Sequence, residues 1–218
     1  MRILITSGAT REPIDAVRFL SNISTGRTGA LLAEHLAHHG HAVTLLHGES
    51  ATLPSPAVTG ITLQGFTSTE HLRAQLHRLL ATARFDAVIH AAAVSDYRPA
   101  ETAAGKLSSY ADELTLHLVP TPKLLPELKN YAKPHPLKVV GFKLTAGATS
   151  GERATAVAKL FAAGTVDAVL HNDTDDLAVG DARTFTAWRR GEATFSSLSG
   201  TAAVADWLHA LFTDGGTT

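Results

Sequence analysis

The sequence predicts an α/β fold: a Rossmann-like, mostly parallel sheet with helices on both faces and a C-terminal β-hairpin. Three observations carry this expectation. Short apolar runs alternate with stretches of helical periodicity, the pattern of strands joined by crossover helices. The last third changes to two alternating segments around Arg190-Gly191-Glu192, which reads as a hairpin. The composition is globular, with 44% hydrophobic and 18% charged residues.

The elements follow in order. Residues 3–6 read as a buried strand. Residues 29–39 read as a helix with Leu31, Leu32 and Leu36 on one face and Gly40 closing it. Strands are expected at 42–47 and 58–66, then a helix at 69–83 capped near Ser68. Residues 86–91 form a strong buried strand. The alternation at 114–119 suggests another strand, and 122–131 a helix despite Pro126. A strand at 137–142, a helix at 151–163 and a strand at 167–171 continue the pattern. The hairpin pairs 183–190 with 193–198, a helix at 201–212 closes the chain, and 214–218 is a polar tail expected to fray. Residues 96–113 lack periodicity, and connections of such length are often functional.

The 218 residues suit one large domain, 1–218, with a full core and no staples. Charge is balanced, 19 Lys and Arg against 20 Asp and Glu, so no nucleic-acid partner is expected and any anion site is local. The absence of cysteine excludes disulfides, thiolate nucleophiles and Cys-based metal sites. No signal peptide and no membrane span are expected, which points to a cytoplasmic protein. The twelve histidines are scattered, with no His-Glu-x-x-His pair.

In open parallel sheets, ligands bind beyond the carboxyl ends of the strands. The first such segment is Ser7-Gly8-Ala9-Thr10-Arg11-Glu12-Pro13-Ile14-Asp15, whose small residues let backbone amides approach a ligand. Next comes Ser21-Asn22-Ile23-Ser24-Thr25-Gly26-Arg27-Thr28-Gly29 at a helix start. This is an anion cradle or a plain glycine-rich turn, and spacing alone does not separate the two. Asp96, in Ala92-Ala93-Val94-Ser95-Asp96-Tyr97, follows the 86–91 strand and is placed to hold Mg²⁺ or to cap a turn. Lys106 stands in the long loop as a mobile phosphate cation or a solvated lysine. Phe142, in Gly141-Phe142-Lys143-Leu144, stacks on a base or belongs to the core. The dinucleotide fingerprint and the Walker loop are both missing. So is a Tyr-x-x-x-Lys pair, because Tyr97, Tyr110 and Tyr131 are followed at that spacing by Glu101, Leu114 and His135. A nicotinamide-dependent reductase is thereby disfavoured; a non-catalytic nucleotide-binding module is the other alternative.

Together with Lys106-Leu107-Ser108-Ser109, Thr121-Pro122-Lys123-Leu124-Leu125 and Asn172-Asp173, these segments resemble the phosphopantothenate–cysteine ligase family, in order, from Met1 to about Phe212. The resemblance implies two steps. The carboxylate of 4′-phosphopantothenate attacks the α-phosphorus of CTP, or of ATP as in eukaryotic members, releasing pyrophosphate. The cysteine amine then attacks the acyl-nucleotidylate. It further implies Asn22 and Lys106 as catalytic groups, Asn22 donating to the acyl carbonyl and Lys106 meeting the α-phosphate. Asp96 would contact Mg²⁺ or the triphosphate. Nucleotide contacts are expected at Gly8, Thr10, His90, Ala92, Val119, Pro120, Thr121, Pro122, Phe142 and Lys159, and substrate contacts at Arg11, Arg18, Asn22 and Ala93. Surface salt bridges would explain the two arginines equally well. Two features depart from many fused bacterial forms: Lys-Leu-Ser-Ser replaces Lys-x-Lys-Lys, and a second helix lysine is replaced by Ala163 or Gly164. These versions look more like stand-alone and eukaryotic ligases. A homodimer through the 183–198 hairpin edge is expected, with a flavin decarboxylase on a separate chain.

Overall fold

The computed structural model describes residues 1–108, 110, 112–176 and 183–213. Ser109 of the loop motif and the tail at 214–218 lie outside the described residues. In chain order the elements are β1 (Arg2–Ser7), β2 (Arg11–Pro13), β3 (Phe19–Ser21), α1 (Arg27–His38), β4 (Ala42–Gly48), β5 (Ile61–Phe66) and α2 (Thr69–Thr82). There follow β6 (Ala87–His90), β7 (Tyr97–Pro99), β8 (Leu118–Pro120), a 3₁₀ turn (Leu125–Glu127) running into α3 (Leu128–Tyr131), β9 (Lys138–Thr145) and α4 (Ser150–Ala162). The chain closes with β10 (Ala168–Asp173), β11 (Thr184–Arg189), β12 (Phe195–Ser199) and α5 (Gly200–Thr213).

The main sheet has eight strands in the order β12-β11-β10-β9-β6-β1-β4-β5. All pairings from β10 to β5 are parallel, and at the edge β11 runs antiparallel to both β10 and β12. Period-two alternation sorts the strand residues between two faces. On one face Ile3, Ile5, Val43, Leu45 and Ile89 pack with α1 and α5. On the other, Leu4, Leu46, Val88 and Val139 pack with α2 and α3. Val157 of α4 joins Val166 and Val169 in a smaller cluster.

Local signals set the helix ends. Ser68 caps α2 by accepting from the His71 N–H at 3.2 Å. Thr149 and Glu152 form a reciprocal capping box at α4. The chain leaves α1 through Gly40 (φ +81°), with Gly40 N–H on the Ala37 carbonyl and His41 N–H on the Leu36 carbonyl.

Two expectations are corrected. At 114–119 only Leu118–Pro120 forms a strand, and Leu114, Leu116 and Leu118 stay exposed because no sheet covers their common face. At 122–131 the helical turn begins only at Leu125: Pro122 disfavours helical geometry at Thr121, whereas Pro126 sits in the first turn, where it is tolerated. Two short sheets, β2–β3 and β7–β8, stand on the carboxyl side of the main sheet, and of their strands only β8 has a counterpart in the predicted elements.

The start of α1 packs on the end of β1. Ser7 Oγ donates to the Gly26 carbonyl at 2.7 Å, and a Cβ at Gly29 would lie 2.3 Å from Ser7 Oγ. Gly29→Ala is therefore expected to cost about 1–3 kcal/mol by overpacking. Thermal unfolding checks this, with Gly151→Ala in α4, whose Cβ meets nothing within 4 Å, as the control whose Tm holds or rises slightly. An unchanged Tm for Gly29→Ala would contradict the close approach.

Candidate active site

The loops after β1 and β6 are joined as a seam. Ala9 and Ala93 form an isolated parallel bridge. Ala93 N–H donates to the Gly8 carbonyl at 2.8 Å, and Thr10 N–H to the Ala93 carbonyl at 3.2 Å. Gly8 has φ +82°, and a Cβ there would lie 2.7 Å from Ala51 Cβ, so glycine is required. Thr10 is buried: its hydroxyl accepts from the Ser95 N–H at 3.0 Å and lies 3.2 Å from the Thr69 hydroxyl. Glu12, also buried, accepts from the Thr69 N–H (2.9 Å) and hydroxyl (2.6 Å), placing a carboxylate at the start of α2. Thr121 donates its hydroxyl to the Ser95 carbonyl and its N–H to the Asp96 carbonyl at 3.0 Å. Ala92 N–H donates to Thr6 Oγ1 at 3.1 Å.

The β2–β3 hairpin rises from this seam. Ser21 Oγ donates to the Thr10 carbonyl at 2.8 Å. Asn22, the next residue, is exposed, and its Nδ2 donates to the Val94 carbonyl at 3.1 Å. The two arginines are engaged within the protein. Arg11 pairs with Glu49 at 3.1 Å and lies 4.4 Å over the Phe19 ring. Arg18 pairs with Asp15 at 3.0 Å and donates to the Leu107 carbonyl at 2.7 Å. Lys106, beside Leu107, is exposed and has no ion pair among the described residues.

A cavity of about 240 Å³ opens between the seam and α4. Its apolar wall includes Leu124, Leu125, Leu160 and Val166; Asp96, Lys123 and Lys159 also line it. Of the expected nucleotide contacts, His90, Asp96, Thr121, Pro122 and Lys159 line this one space. Gly8, Thr10, Ala92 and Ala93 belong to the adjoining seam. Val119 and Pro120 lie in β8, paired with Arg98 and Tyr97, and are not among the lining residues. Phe142 meets the Phe185 ring edge-on at 6.3 Å and packs against the core.

Lys123, Ser95, Thr69 and Glu12 were not singled out as functional from sequence. Lys123 binds the Asp96 carboxylate directly, at a distance in sequence that no motif reveals. Thr165, which borders the cavity, has the one buried side-chain oxygen among the described residues without a hydrogen-bond partner. Among the described residues no group of three or more His, Asp and Glu side chains could hold a metal. A lone exposed carboxylate, Asp96, suits a Mg²⁺ ion that takes its other ligands from water and phosphate.

His90 is buried with Nδ1 2.9 Å from Thr6 Oγ1, and burial lowers its pKa from 6.5 to about 4. It therefore adds no positive charge to the cavity at neutral pH. The unfolded chain takes up a proton near pH 6.5 while the folded one resists until about pH 4, so stability falls as pH drops through that window. The loss attributable to His90 is on the order of 3 kcal/mol. Burial lowers His41 and His171 too, so His90→Gln should flatten only part of the acid slope of Tm. A thermal series between pH 7 and 4 checks this; an unaltered slope would contradict it.

The family model of the DNA/pantothenate metabolism flavoprotein C-terminal domain matches residues 1–197. The coenzyme A biosynthesis bifunctional protein CoaBC of Thermococcus kodakarensis is 34% identical over 171 residues, 78% of this chain and 41% of that protein. The chain thus spans less than half the length of this relative. Among solved structures, the DNA/pantothenate metabolism flavoprotein from Streptococcus pneumoniae superposes with a TM-score of 0.87 at 24% identity, covering 98% and 99% of the two chains. The C-terminal domain of a bifunctional CoaBC protein superposes at 0.75 with 26% identity, covering 98% and 94%. No helix among the described residues is long and apolar enough to cross a membrane. With nine-tenths of its length matched in order and the sheet reproduced in those structures, the chain belongs to the DNA/pantothenate metabolism flavoprotein C-terminal domain family.

Proposed function

We propose that this chain is a phosphopantothenate–cysteine ligase of coenzyme A biosynthesis. It uses CTP or ATP with Mg²⁺ to activate 4′-phosphopantothenate as an acyl-nucleotidylate and then forms the amide with cysteine. The observation that carries the reading is the cavity itself. It places Lys123, Lys159 and Asp96 around an apolar space beside the seam that tethers Asn22. The relative named above is a coenzyme A biosynthesis protein, which agrees with this reading.

In the first step the substrate carboxylate oxygen forms a bond to the α-phosphorus, and the bond to pyrophosphate breaks. Negative charge gathers on the phosphoryl oxygens, and preorganised cations lower that barrier. Lys106 and Lys159 supply cations; Asp96 would hold a Mg²⁺ ion, which would neutralise charge on the phosphates when bound. Gly8, Thr10, Ala92 and Ala93 offer close backbone, with His90, Thr121 and Pro122 lining the base side and Val119 and Pro120 beside it, whereas Phe142 packs on the opposite face of the sheet. In the second step the cysteine amine attacks the acyl carbon, the nucleoside monophosphate leaves, and the amine loses a proton. Asn22 Nδ2 exchanges the Val94 carbonyl for the acyl oxygen as charge builds there. Arg11 is the better placed arginine for the substrate phosphate, because its exposed pair with Glu49 is cheap to exchange.

The same reading takes residues 1–218 as one catalytic domain in the cytoplasm, working as a homodimer beside a flavin decarboxylase. The β12 edge of the hairpin, with Phe195 half exposed, is the proposed dimer edge.

Two substitutions separate the half-reactions. Asn22→Asp is expected to keep intermediate formation and lose amide formation by roughly 10²–10³-fold, the usual effect of removing an oxyanion donor. Trapping with labelled nucleotide checks this, and normal turnover by the variant refutes the role. Lys106→Gln is expected to abolish pyrophosphate release, and unchanged release counts against the cation role. Running the coupled assay with CTP and with ATP assigns the nucleotide.

A further inference from the structure

Residues 100–117 carry no helix or strand among the described positions, yet Lys106 must be held there to act on one phosphorus atom. The tethers of this segment converge on the β2–β3 turn. Ala103 N–H donates to the Ile14 carbonyl at 3.1 Å, and Thr102 Oγ1 to the Pro13 carbonyl at 3.1 Å. The tightest grip is at Leu107, directly after the lysine. Its N–H donates to Asp15 Oδ2 at 3.0 Å, and its carbonyl accepts from Arg18 Nη2 at 2.7 Å. Both polar groups of one peptide-chain residue are thus taken by one ion pair, Asp15 with Arg18.

That ion pair is itself built in. The Asp15 side chain has no exposed surface. Its other oxygen accepts from the Val17 N–H at 2.9 Å and the Arg18 N–H at 2.8 Å, so the turn folds around the carboxylate. The Val17 bond holds its pKa below the ordinary value; burial opposes this, and the Leu107 and Arg18 N–H groups add to the lowering. Beyond Leu107 the described side-chain contacts of the segment are local, Tyr110 N–H to Ser108 and Thr115 to Glu113.

From this geometry we infer that Asp15, with Arg18, is a positioning residue: a clasp on Leu107 that fixes where Lys106 stands relative to Asn22. The hairpin is the ruler. Asp15 lies at its turn and Asn22 follows its other end, three strand residues away, roughly 10 Å by the strand rise. An extended lysine side chain is long enough to cover much of that span. Asp15 touches no reacting atom; it acts through the backbone beside Lys106. The assignment of Lys106 to the phosphate rests on the ligase reading, whereas the clasp does not.

The test uses the full chain and two readouts. Lys106 is a trypsin site, so cleavage after it, mapped by mass spectrometry, reports release of the clasp. Asp15→Asn is expected to speed this cut roughly tenfold or more, since a buried charged acceptor is lost. Arg18→Met, which leaves the carboxylate, is expected to speed it less and serves if Asp15→Asn does not fold. Pyrophosphate release should fall roughly 10–100-fold in Asp15→Asn, the effect of a misplaced catalytic group. In a variant that retains part of this activity, Lys106→Arg, adding Asp15→Asn should give less than the product of the single losses, because both act through one side chain. An unchanged cut rate in the folded variants overturns the clasp, and so does a fully multiplicative double variant. A wild-type protein that releases no pyrophosphate sinks the ligase reading instead, and the cleavage rates still decide the clasp.

Discussion

The seam between the loop after β1 and the loop after β6 is the constraint on which the candidate site rests. Two strand ends that are neighbours in the sheet are carried one step further by the Ala9–Ala93 bridge. Beneath it, Thr10, Ser95, Thr69, Glu12 and Thr121 satisfy one another in a space closed to water. Such networks hold firmly only when complete, because an unmatched buried partner is costly. Everything beyond the seam inherits its position: the hairpin through Ser21, Asn22 through Val94, and the cavity rim through Asp96 and Thr121.

The departure from a dinucleotide-binding fold has the same origin. There a helix follows the first strand directly and offers its N-terminus to phosphate. Here residues 8–26 intervene before α1, and they are spent on the hairpin that presents Asn22 and grips the Lys106 segment. At the helix start Ser7 Oγ donates to the Gly26 carbonyl, and Gly26 at the N-cap offers no side chain to the N–H groups of α1. Around the cavity, positive charge comes from side chains. His90 is kept neutral by burial, and Lys123 rests on Asp96 in an exposed pair worth little by itself. On the proposed ligase reading, such a pair is free to open toward a triphosphate and its metal.

Much of the fold was legible because its signals are local. Apolar period, the Ser68 cap and Gly40 each read correctly without knowledge of distant residues. The hairpin β2–β3 was not, since three-residue strands carry too little pattern and Glu12 is buried only by virtue of Thr69, far along the chain. At Phe142 the residue type left base stacking and core both open. The strand period settles its direction: it shares with Val140 the face covered by α1 and α5, while Gly141 lies beneath Leu125 on the cavity side. The arginines were visible as charges but not as partners, because Asp15, Glu49 and Leu107 are brought to them only by the folded hairpin.

The central claim is that one hairpin brings an amide and a flexible cation to the same acyl–phosphate bond. A crystal structure of the Asn22→Asp variant with its accumulated acyl-nucleotidylate measures this most directly. The account expects Lys106 Nζ within hydrogen-bond reach of the α-phosphate oxygens and residue 22 beside the acyl oxygen of the same molecule. An intermediate bound elsewhere, or one that meets residue 22 while Lys106 points away across the hairpin, would contradict it.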